Sequence, residues 1–296
     1  MISICTPTYN RAHTLPRLFD SLTKQTNQAF EWIVIDDGSI DNTKELIKGY
    51  MSIANFSIIY KYQTNQGKHI ALNIGQELAK NDVFLCLDSD DWLVESAVCT
   101  IVKDFEMYVR HNKKVAGMLY LDELQTGEII GSSIPHYTEI NWLDLVYNNK
   151  LKGDKCYIFK TEVLKKFPFP TLNKGKHMPP TYQFHLISRE YNLFSVNTPL
   201  KVVEYLDDGL SKNIKQKYFT AADNYAYYRK TINNIIPTRR YRIKNILLYN
   251  LSYLYSKNKK NVKLDKVSEK FLSLILFPLS ILIMVLYKKE KGSGRL

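Results

Sequence analysis

Three carboxylates stand within four positions at Asp88-Ser89-Asp90-Asp91, directly after the apolar run Val83–Leu87. Carboxylates this close repel one another unless something cationic sits between them. Hard divalent cations suit them, taking one or two carboxylates and filling their other positions with phosphate oxygens and water. A cation held there can neutralise a departing diphosphate as a Lewis acid. The competing reading is a helix N-cap with first-turn acids, because a helical pattern begins at Val94. Asp36-Asp37-Gly38-Ser39 follows a second apolar run, Trp32–Ile35, and its carboxylates can accept hydrogen bonds from a base or ribose; Asp-Gly-Ser is equally common turn chemistry. Lys68, in Asn65-Gln66-Gly67-Lys68, opens another helical pattern, where a lysine can meet a phosphate or simply stand in solvent.

The elements that must position these residues alternate in type. Strand patterns fall at Ile2–Thr6, Glu31–Asp36, Phe56–Tyr62 and Val83–Leu87, and helical patterns at Pro16–Gln25, Asp41–Tyr50 and Gly67–Lys80, with Asp41 as an N-cap. Continuously apolar strands separated by helices predict a doubly wound, mostly parallel α/β sheet. In such a sheet ligands bind outside the carboxyl ends of the strands. Thr6-Pro7-Thr8-Tyr9-Asn10, Asp36–Ser39 and Asp88–Asp91 all follow strands, so the topology would gather them on one edge. Beyond Asp90 the pattern predicts a helix over Val94–Tyr108 and a strand pair, Lys114–Leu121 with Glu128–Ser133. Further on it predicts a helix at Trp142–Tyr147, a strand at Cys156–Phe159 and a helix at Thr161–Lys166. A loop over Pro168–Pro180, a helix over Thr181–Tyr191 and a last strand at Leu200–Tyr205 complete the body.

Charge divides the 296-residue chain near position 210. Residues 1–210 hold 22 basic and 25 acidic residues, whereas residues 211–296 hold 19 and 4, so the net of +12 is a mildly acidic body with a strongly basic tail. The tail is Tyr-rich, reads as a helical extension, and contains an uncharged run of 17 residues, Phe271–Tyr287, flanked by Lys270 and by Lys288 and Lys289. Basic flanks around an apolar stretch favour an anionic membrane leaflet over nucleic acid. At about 25 Å of helix, with Pro278 inside it, the run either spans a bilayer or lies in its interface. Met1 leads directly into a strand pattern with no basic, apolar leader, so the expected place is the cytoplasmic face of the membrane. Cys5, Cys86, Cys99 and Cys156 show no metal-ligand spacing and suit a reducing compartment. Gly292-Ser293-Gly294-Arg295-Leu296 reads as a linker-like end.

Taken as an ordered set, Thr6-Pro7-Thr8-Tyr9-Asn10-Arg11, Val34–Ser39 with Asp41 and Thr43, Asn65–Lys68 with Ala71-Leu72-Asn73 and Gly75, and Leu87–Asp91 resemble family 2 glycosyltransferases of the GT-A fold. Gly153-Asp154-Lys155, Phe159–Leu164, and Val203-Glu204-Tyr205 with Asp208-Gly209-Leu210-Ser211 resemble the bacterial envelope and capsular polysaccharide type. The resemblance covers residues 1–211 and implies inverting transfer from a nucleotide-sugar, usually a UDP-sugar, by a hexosyl- or N-acetylhexosaminyltransferase. It also implies that Pro7, Tyr9 and Asp37 line the nucleoside pocket, Lys68 sits near base or diphosphate, Asp88 faces ribose or sugar, and Asp90 binds Mn²⁺ or Mg²⁺. The Gln-x-x-Arg-Trp signature of processive synthases is absent, since none of Trp32, Trp92 and Trp142 follows Arg; addition of a single sugar is expected. With the basic tail, the acceptor is expected to be a polyprenyl-linked saccharide.

One departure concerns the general base, which inversion needs because the acceptor hydroxyl loses a proton as it attacks. Such enzymes carry an acid after the Gly-Asp-Lys segment, yet no Asp or Glu occurs between Glu162 and Glu190, and the matching stretch is Asn173-Lys174-Gly175-Lys176-His177. Asp154 and His177 are the candidate bases; the alternative is a catalytically impaired pseudo-glycosyltransferase that binds a nucleotide or a partner.

Overall fold

In the computed structural model, residues 1–149, 151–172, 175–206 and 214–292 are described. The chain divides into two compact units, residues 1–169 with 187–206, and residues 170–186 with 207–296. The segment 170–186 groups with the tail.

The first unit is built on a nine-stranded sheet. It opens with β1 (Ile2–Thr8), α1 (Leu15–Thr23), β2 (Phe30–Asp36), α2 (Thr43–Ile53), β3 (Ser57–Tyr62), α3 (Lys68–Leu78) and β4 (Val83–Cys86). β5 (Trp92–Leu93), α4 (Ala97–Asp104), β6 (Val115–Leu124), β7 (Thr138–Ile140), α5 (Trp142–Tyr147), β8 (Lys155–Lys160) and α6 (Thr161–Lys166) follow. After α7 (Thr181–Ile187), β9 (Asn192–Val203) closes the sheet, whose order is β3-β2-β1-β4-β8-β6-β9-β5, with β7 on β9.

The four parallel strands β3-β2-β1-β4 form as their apolar patterns predict: every residue of β1 and β2 is buried. Polar residues on these strands are paired inside, with Trp32 Nε1 donating to Thr6 Oγ1 (2.9 Å) and Ser3 Oγ to Glu31 Oε1 (2.6 Å). Ile4, Leu18, Trp32, Val34, Ile47 and Leu85 belong to one core cluster, while α3 packs on β1 and β2. The approach of α3 is close: a Cβ at Gly75 would lie 2.2 Å from Cys5 Sγ, so this helix needs a glycine where it crosses β1. Cys5 and Cys156 are buried free thiols, as expected of small apolar residues.

The parallel character is concentrated in that half. β8 runs antiparallel to β4 and β6, β9 runs parallel to β6, and β5 and β7 run antiparallel to β9. Several boundaries differ from the sequence reading, β1 running to Thr8 where Thr6 was expected. The helix expected over Val94–Tyr108 is α4 with a π turn at Phe105–Val109, and it is preceded by β5. The strand expected at Glu128–Ser133 reduces to one bridge, Glu123 with Ile129, because the chain turns into the loop that receives Lys155. The helix expected over Thr181–Tyr191 ends at Ile187, and the strand expected at Leu200–Tyr205 is the end of β9. Asn197-Thr198-Pro199 reads as a turn, yet Pro199 sits where the β6–β9 register shifts, a place a strand tolerates proline.

The second unit contains α8 (Ile214–Thr220), α9 (Ala222–Asn233), α10 (Arg239–Tyr255), α11 (Lys259–Val262) and α12 (Val267–Gly292). The Asp208–Ser211 motif, Asn173-Lys174 and residues 293–296 lie outside the described residues.

The packing at Gly75 is testable. Gly75→Ala should lower stability by about 1–3 kcal/mol through overpacking, read as a lower urea midpoint. Combining it with Cys5→Ala, which empties the colliding atom's place, should recover most of the loss. Equal losses in single and double variants would show that the contact with Cys5 is not the constraint.

Candidate active site

The parallel registers place Thr8 opposite Asp36 and Cys5 opposite Cys86, so β1, β2 and β4 end together. β8 runs back along β4, with Ile158 opposite Leu85, and so starts at the edge where β4 ends. Tyr9, Asp37, Asp88 and Asp154 therefore share one edge of the sheet.

Hydrogen bonds join the loops along this edge. Asn10, at φ +53°, donates its backbone N–H to Ser39 Oγ (2.9 Å) and accepts from Ile40 N at Oδ1 (2.8 Å). Asp41 accepts from Ala12 N at one oxygen and from Thr43 N and Oγ1 at the other, binding the loop after β1; the N-cap of α2 is Asn42, one position later than expected. Asp36 accepts from Ser39 N (2.8 Å) and Tyr60 Oη (2.7 Å), which makes it the turn residue of Asp-Gly-Ser. Gly38 has φ +89°, and a Cβ there would lie 2.9 Å from Asn65 N.

Asp37 is buried and accepts from Gln63 Nε2 (2.6 Å), Gln66 N (2.7 Å) and Gly67 N (2.8 Å). It thereby fixes the loop that delivers Lys68. A carboxylate has about four acceptor positions, so one remains open to a ligand. Pro7 is buried within β1, and Tyr9, just past its end, is 47% exposed.

Lys68 Nζ lies 2.5 and 2.7 Å from the two Asp88 oxygens. Burial works against the charge on both groups, but their attraction outweighs it, so the lysine pKa is raised and the aspartate pKa lowered. Asp91 is buried against Lys201, 3.0 Å from its Nζ, and Lys201 also lies 3.3 Å from the fully buried Asp122. Burial pushes Asp91 up to about 7, with Asp88 and Asp90 adding to it and Lys201 opposing. Burial likewise raises Asp122 to about 6. Burial and the neighbouring Asp88 raise the Asp90 pKa, with the charges of Arg11 and Lys68 opposing.

Asp88, Asp90 and Asp91 each offer an oxygen, all within 4.8 Å of one another. The donor set is all carboxylate, and two of its three charges are balanced by Lys68 and Lys201. The half-buried Asp90 carboxylate stands beside them, and the set fits a hard divalent cation completed by phosphate oxygens and water. The loop is held from behind by Arg17, whose Nη2 donates to the Asp90 carbonyl (3.0 Å) and to Glu204 Oε2 (2.5 Å) while its guanidinium lies 3.9 Å over Trp92.

The Gly153-Asp154-Lys155 motif has its own local logic. Gly153 and Gly131, both at positive φ, let two backbone segments touch: a Cβ on Gly131 would meet Lys152 O at 2.1 Å. Lys155 buries its ammonium on the carbonyls of Ile130 (2.7 Å), Lys152 (2.9 Å) and Asp154 (3.1 Å). Asp154 is left exposed, with Oδ2 accepting from Tyr205 Oη at 3.1 Å. His177 belongs to the second unit. There its ring stacks on Tyr225, and Asn224 Nδ2 donates to the carbonyls of His177 (3.2 Å) and Gly175 (2.8 Å).

Sequence reasoning missed Lys201, Asp122 and Arg17, and placed Glu204 in a motif without a role. Lys201 had a signal: it alternates with the apolar Leu200 and Val202 on a strand, where a buried lysine needs acidic partners.

The model of glycosyl transferase family 2 matches residues 3–166. An uncharacterized glycosyltransferase of Haemophilus influenzae is 40% identical over 239 residues, 73% of this chain and 79% of that protein. Glycosyltransferase GlyG of Streptococcus pneumoniae is 31% identical over 106 residues, 36% of this chain and 35% of that protein. The structure of S. aureus TarS 1–349 in complex with UDP-GlcNAc has a TM-score of 0.59 at 17% identity, over 93% of this chain and 78% of that one. The mannosyltransferase PcManGT of Pyrobaculum calidifontis, in complex with GDP-Man and Mn²⁺, has a TM-score of 0.53 at 15% identity, over 97% and 84%. The α/β fold is of the GT-A type that these structures share.

Lys201→Met should cost about 3–5 kcal/mol by stranding two buried carboxylates. Adding Asp122→Asn should restore part of it. Urea unfolding of the two variants measures both effects, and an unchanged midpoint in Lys201→Met would remove the lysine from the structural account.

Proposed function

The chain belongs to glycosyl transferase family 2, and we propose that it moves a single sugar from a nucleotide-sugar, of the UDP class, to a saccharide acceptor with inversion at the anomeric carbon. The observation that carries this reading is the acidic cluster at the end of β4, where Asp88, Asp90 and Asp91 each offer an oxygen within 4.8 Å of one another. Complexes of two proteins of the same fold, one with UDP-GlcNAc and one with GDP-Man, support a nucleotide-sugar donor. The sugar is assigned to the hexosyl or N-acetylhexosaminyl class.

A Mn²⁺ or Mg²⁺ ion held by Asp90, with Asp88 and Asp91 beside it, supplies positive charge against the diphosphate. Lys68 answers the same charge from the N-terminus of α3, and Asp37, Pro7 and Tyr9 bound the nucleoside. The acceptor hydroxyl attacks the anomeric carbon as the bond to the diphosphate oxygen breaks. Its proton passes to Asp154, which stands on the same sheet edge and is oriented by Tyr205. Among the base candidates Asp154 is favoured because its carboxylate is exposed, whereas the ring of His177 is stacked on Tyr225. The acceptor is assigned as a polyprenyl-linked saccharide in envelope or capsular polysaccharide synthesis, at the cytoplasmic face of the membrane. A second reading, a nucleotide-binding pseudo-transferase, is favoured by the absence of Asp and Glu between Glu162 and Glu190.

Release of nucleoside diphosphate from a panel of nucleotide-sugars, with lipid-linked saccharide acceptors, Mn²⁺ or chelator, decides between them. Expected is metal-dependent release that Asp90→Ala abolishes and that Asp154→Asn slows by about 10²–10⁴-fold with donor binding retained. UDP binding without turnover on any acceptor would favour the pseudo-transferase, and full activity in Asp154→Asn would move the base elsewhere. Deleting residues 271–296 should shift the protein from the membrane to the soluble fraction; undiminished membrane binding would refute the assigned location.

A further inference from the structure

The helix α12 holds a 21-residue stretch, Val267–Tyr287, that by length and composition can cross a bilayer, with a mean hydropathy of 2.2. At about 31 Å it matches the hydrocarbon thickness. Its contacts argue for a different disposition. One stripe of the helix is docked on the second unit: Glu269, Ser273, Leu276, Ser280 and Met284, spaced three and four residues apart.

That stripe is polar where it meets its neighbours. Asn233 Nδ2 donates to Glu269 Oε1 (2.8 Å), and Asn250 Nδ2 donates to the Ser273 carbonyl (2.9 Å) and to Ser280 Oγ (3.2 Å), while Ser273 Oγ donates back to Asn250 Oδ1 (2.5 Å). Tyr255 Oη reaches Met284 Sδ. The docked stripe therefore runs along most of the apolar stretch. The opposite stripe carries Phe271, Leu274, Ile275, Leu282, Val285 and Leu286, all exposed, with Leu274 at 71%.

A crossing α12 would take α10 and its neighbours into the hydrocarbon. Those neighbours include Arg229, which donates to Tyr218 Oη and Asn245 Oδ1, and Lys230, paired with Asp265 at 3.0 Å. Charged groups in the bilayer core cost several kcal/mol each. The exposed face is also entered through lysines: Lys263 and Lys266 are exposed immediately before the helix, and Lys288, Lys289 and Lys291 follow the apolar stretch in sequence.

The geometry points to a monotopic attachment: α12 lies in the plane of an anionic leaflet, its Phe271–Leu286 face sunk to the acyl boundary and α10 riding above it on the water side. The occupant of the apolar face is lipid, chosen by the basic charge at its entrance and by a stripe of apolar side chains with no polar centre. This deepens the membrane-associated reading above and rests on it only for the presence of a bilayer.

The test adds the full chain, carrying an extra C-terminal cysteine, to preformed sealed phosphatidylcholine vesicles with and without phosphatidylglycerol. Expected is flotation with the phosphatidylglycerol vesicles and labelling of the added cysteine by a membrane-impermeant maleimide, without detergent, as fully as the exposed native Cys99. Lys263→Glu and Lys266→Glu should each weaken flotation severalfold, and Leu274→Glu with Leu282→Glu, both at exposed positions, should abolish it while leaving donor turnover intact. A cysteine labelled only after detergent would overturn the in-plane arrangement and leave membrane attachment standing. Failure to float, with sedimentation as a dimer, would give the apolar face to a second copy and overturn the lipid assignment itself.

Discussion

The first unit is organised around a balance of buried charge. Four carboxylates, Asp88, Asp90, Asp91 and Asp122, sit near the sheet edge against two lysines, Lys68 and Lys201. Each lysine arrives from a different part of the chain. Lys68 is set by the start of α3, which Asp37 fixes through its bonds to Gln66 and Gly67. Lys201 is set by the pairing of β9 with β6, where it falls opposite Asp122. Without both, three adjacent acids could not be held half-buried, because each unpaired carboxylate would favour its neutral form. With both, four carboxylates against two lysines leave an excess of negative charge at this edge, a balance that suits a bound cation.

The same logic orders the loops. The motif residues at the strand ends are mostly braces within the loops. Asn10, Ser39 and Asp41 stitch two loops together, Asp36 closes a turn, and Arg17 with Glu204 holds the backbone of Asp90 from the far side. By contrast, the Tyr9 ring and the Asp154 carboxylate are left exposed.

Much of this was legible in the sequence, and the pattern of success has a physical cause. β1, β2 and β4 are almost wholly buried, so their runs are continuously apolar and their places legible to within one or two residues at the ends; the acids following β2 and β4 had to meet at one edge. The far half of the sheet was harder to read. β9 mixes buried and half-buried positions and contains Pro199, so its first half resembles a loop, and β7 is only three residues long. Lys201 went unseen for the same reason, since its meaning depends on the β6 register. A pairing across about 80 residues leaves no local trace. The role of Asp37 was only half visible: its place at a strand end showed a site, but not that most of its acceptor capacity serves the loop before α3.

The stretch after α6 shows why a missing acid does not by itself decide activity. Where an acidic base was expected, Gly175 at φ +122° lets the chain approach Asn224, and the carbonyls of Gly175 and His177 are bound by that side chain. This segment is committed to packing on α9, within the helical unit, and its composition answers that demand. Proton acceptance needs an oriented group with an open acceptor position. Asp154 is an exposed carboxylate at the sheet edge, where Lys155 pins the backbone on carbonyls and Tyr205 engages one carboxylate oxygen. The loss of an acid from one loop and the presence of a supported carboxylate on another are compatible with a single chemistry, since what the reaction constrains is the position of the base relative to the anomeric carbon rather than its place in the chain.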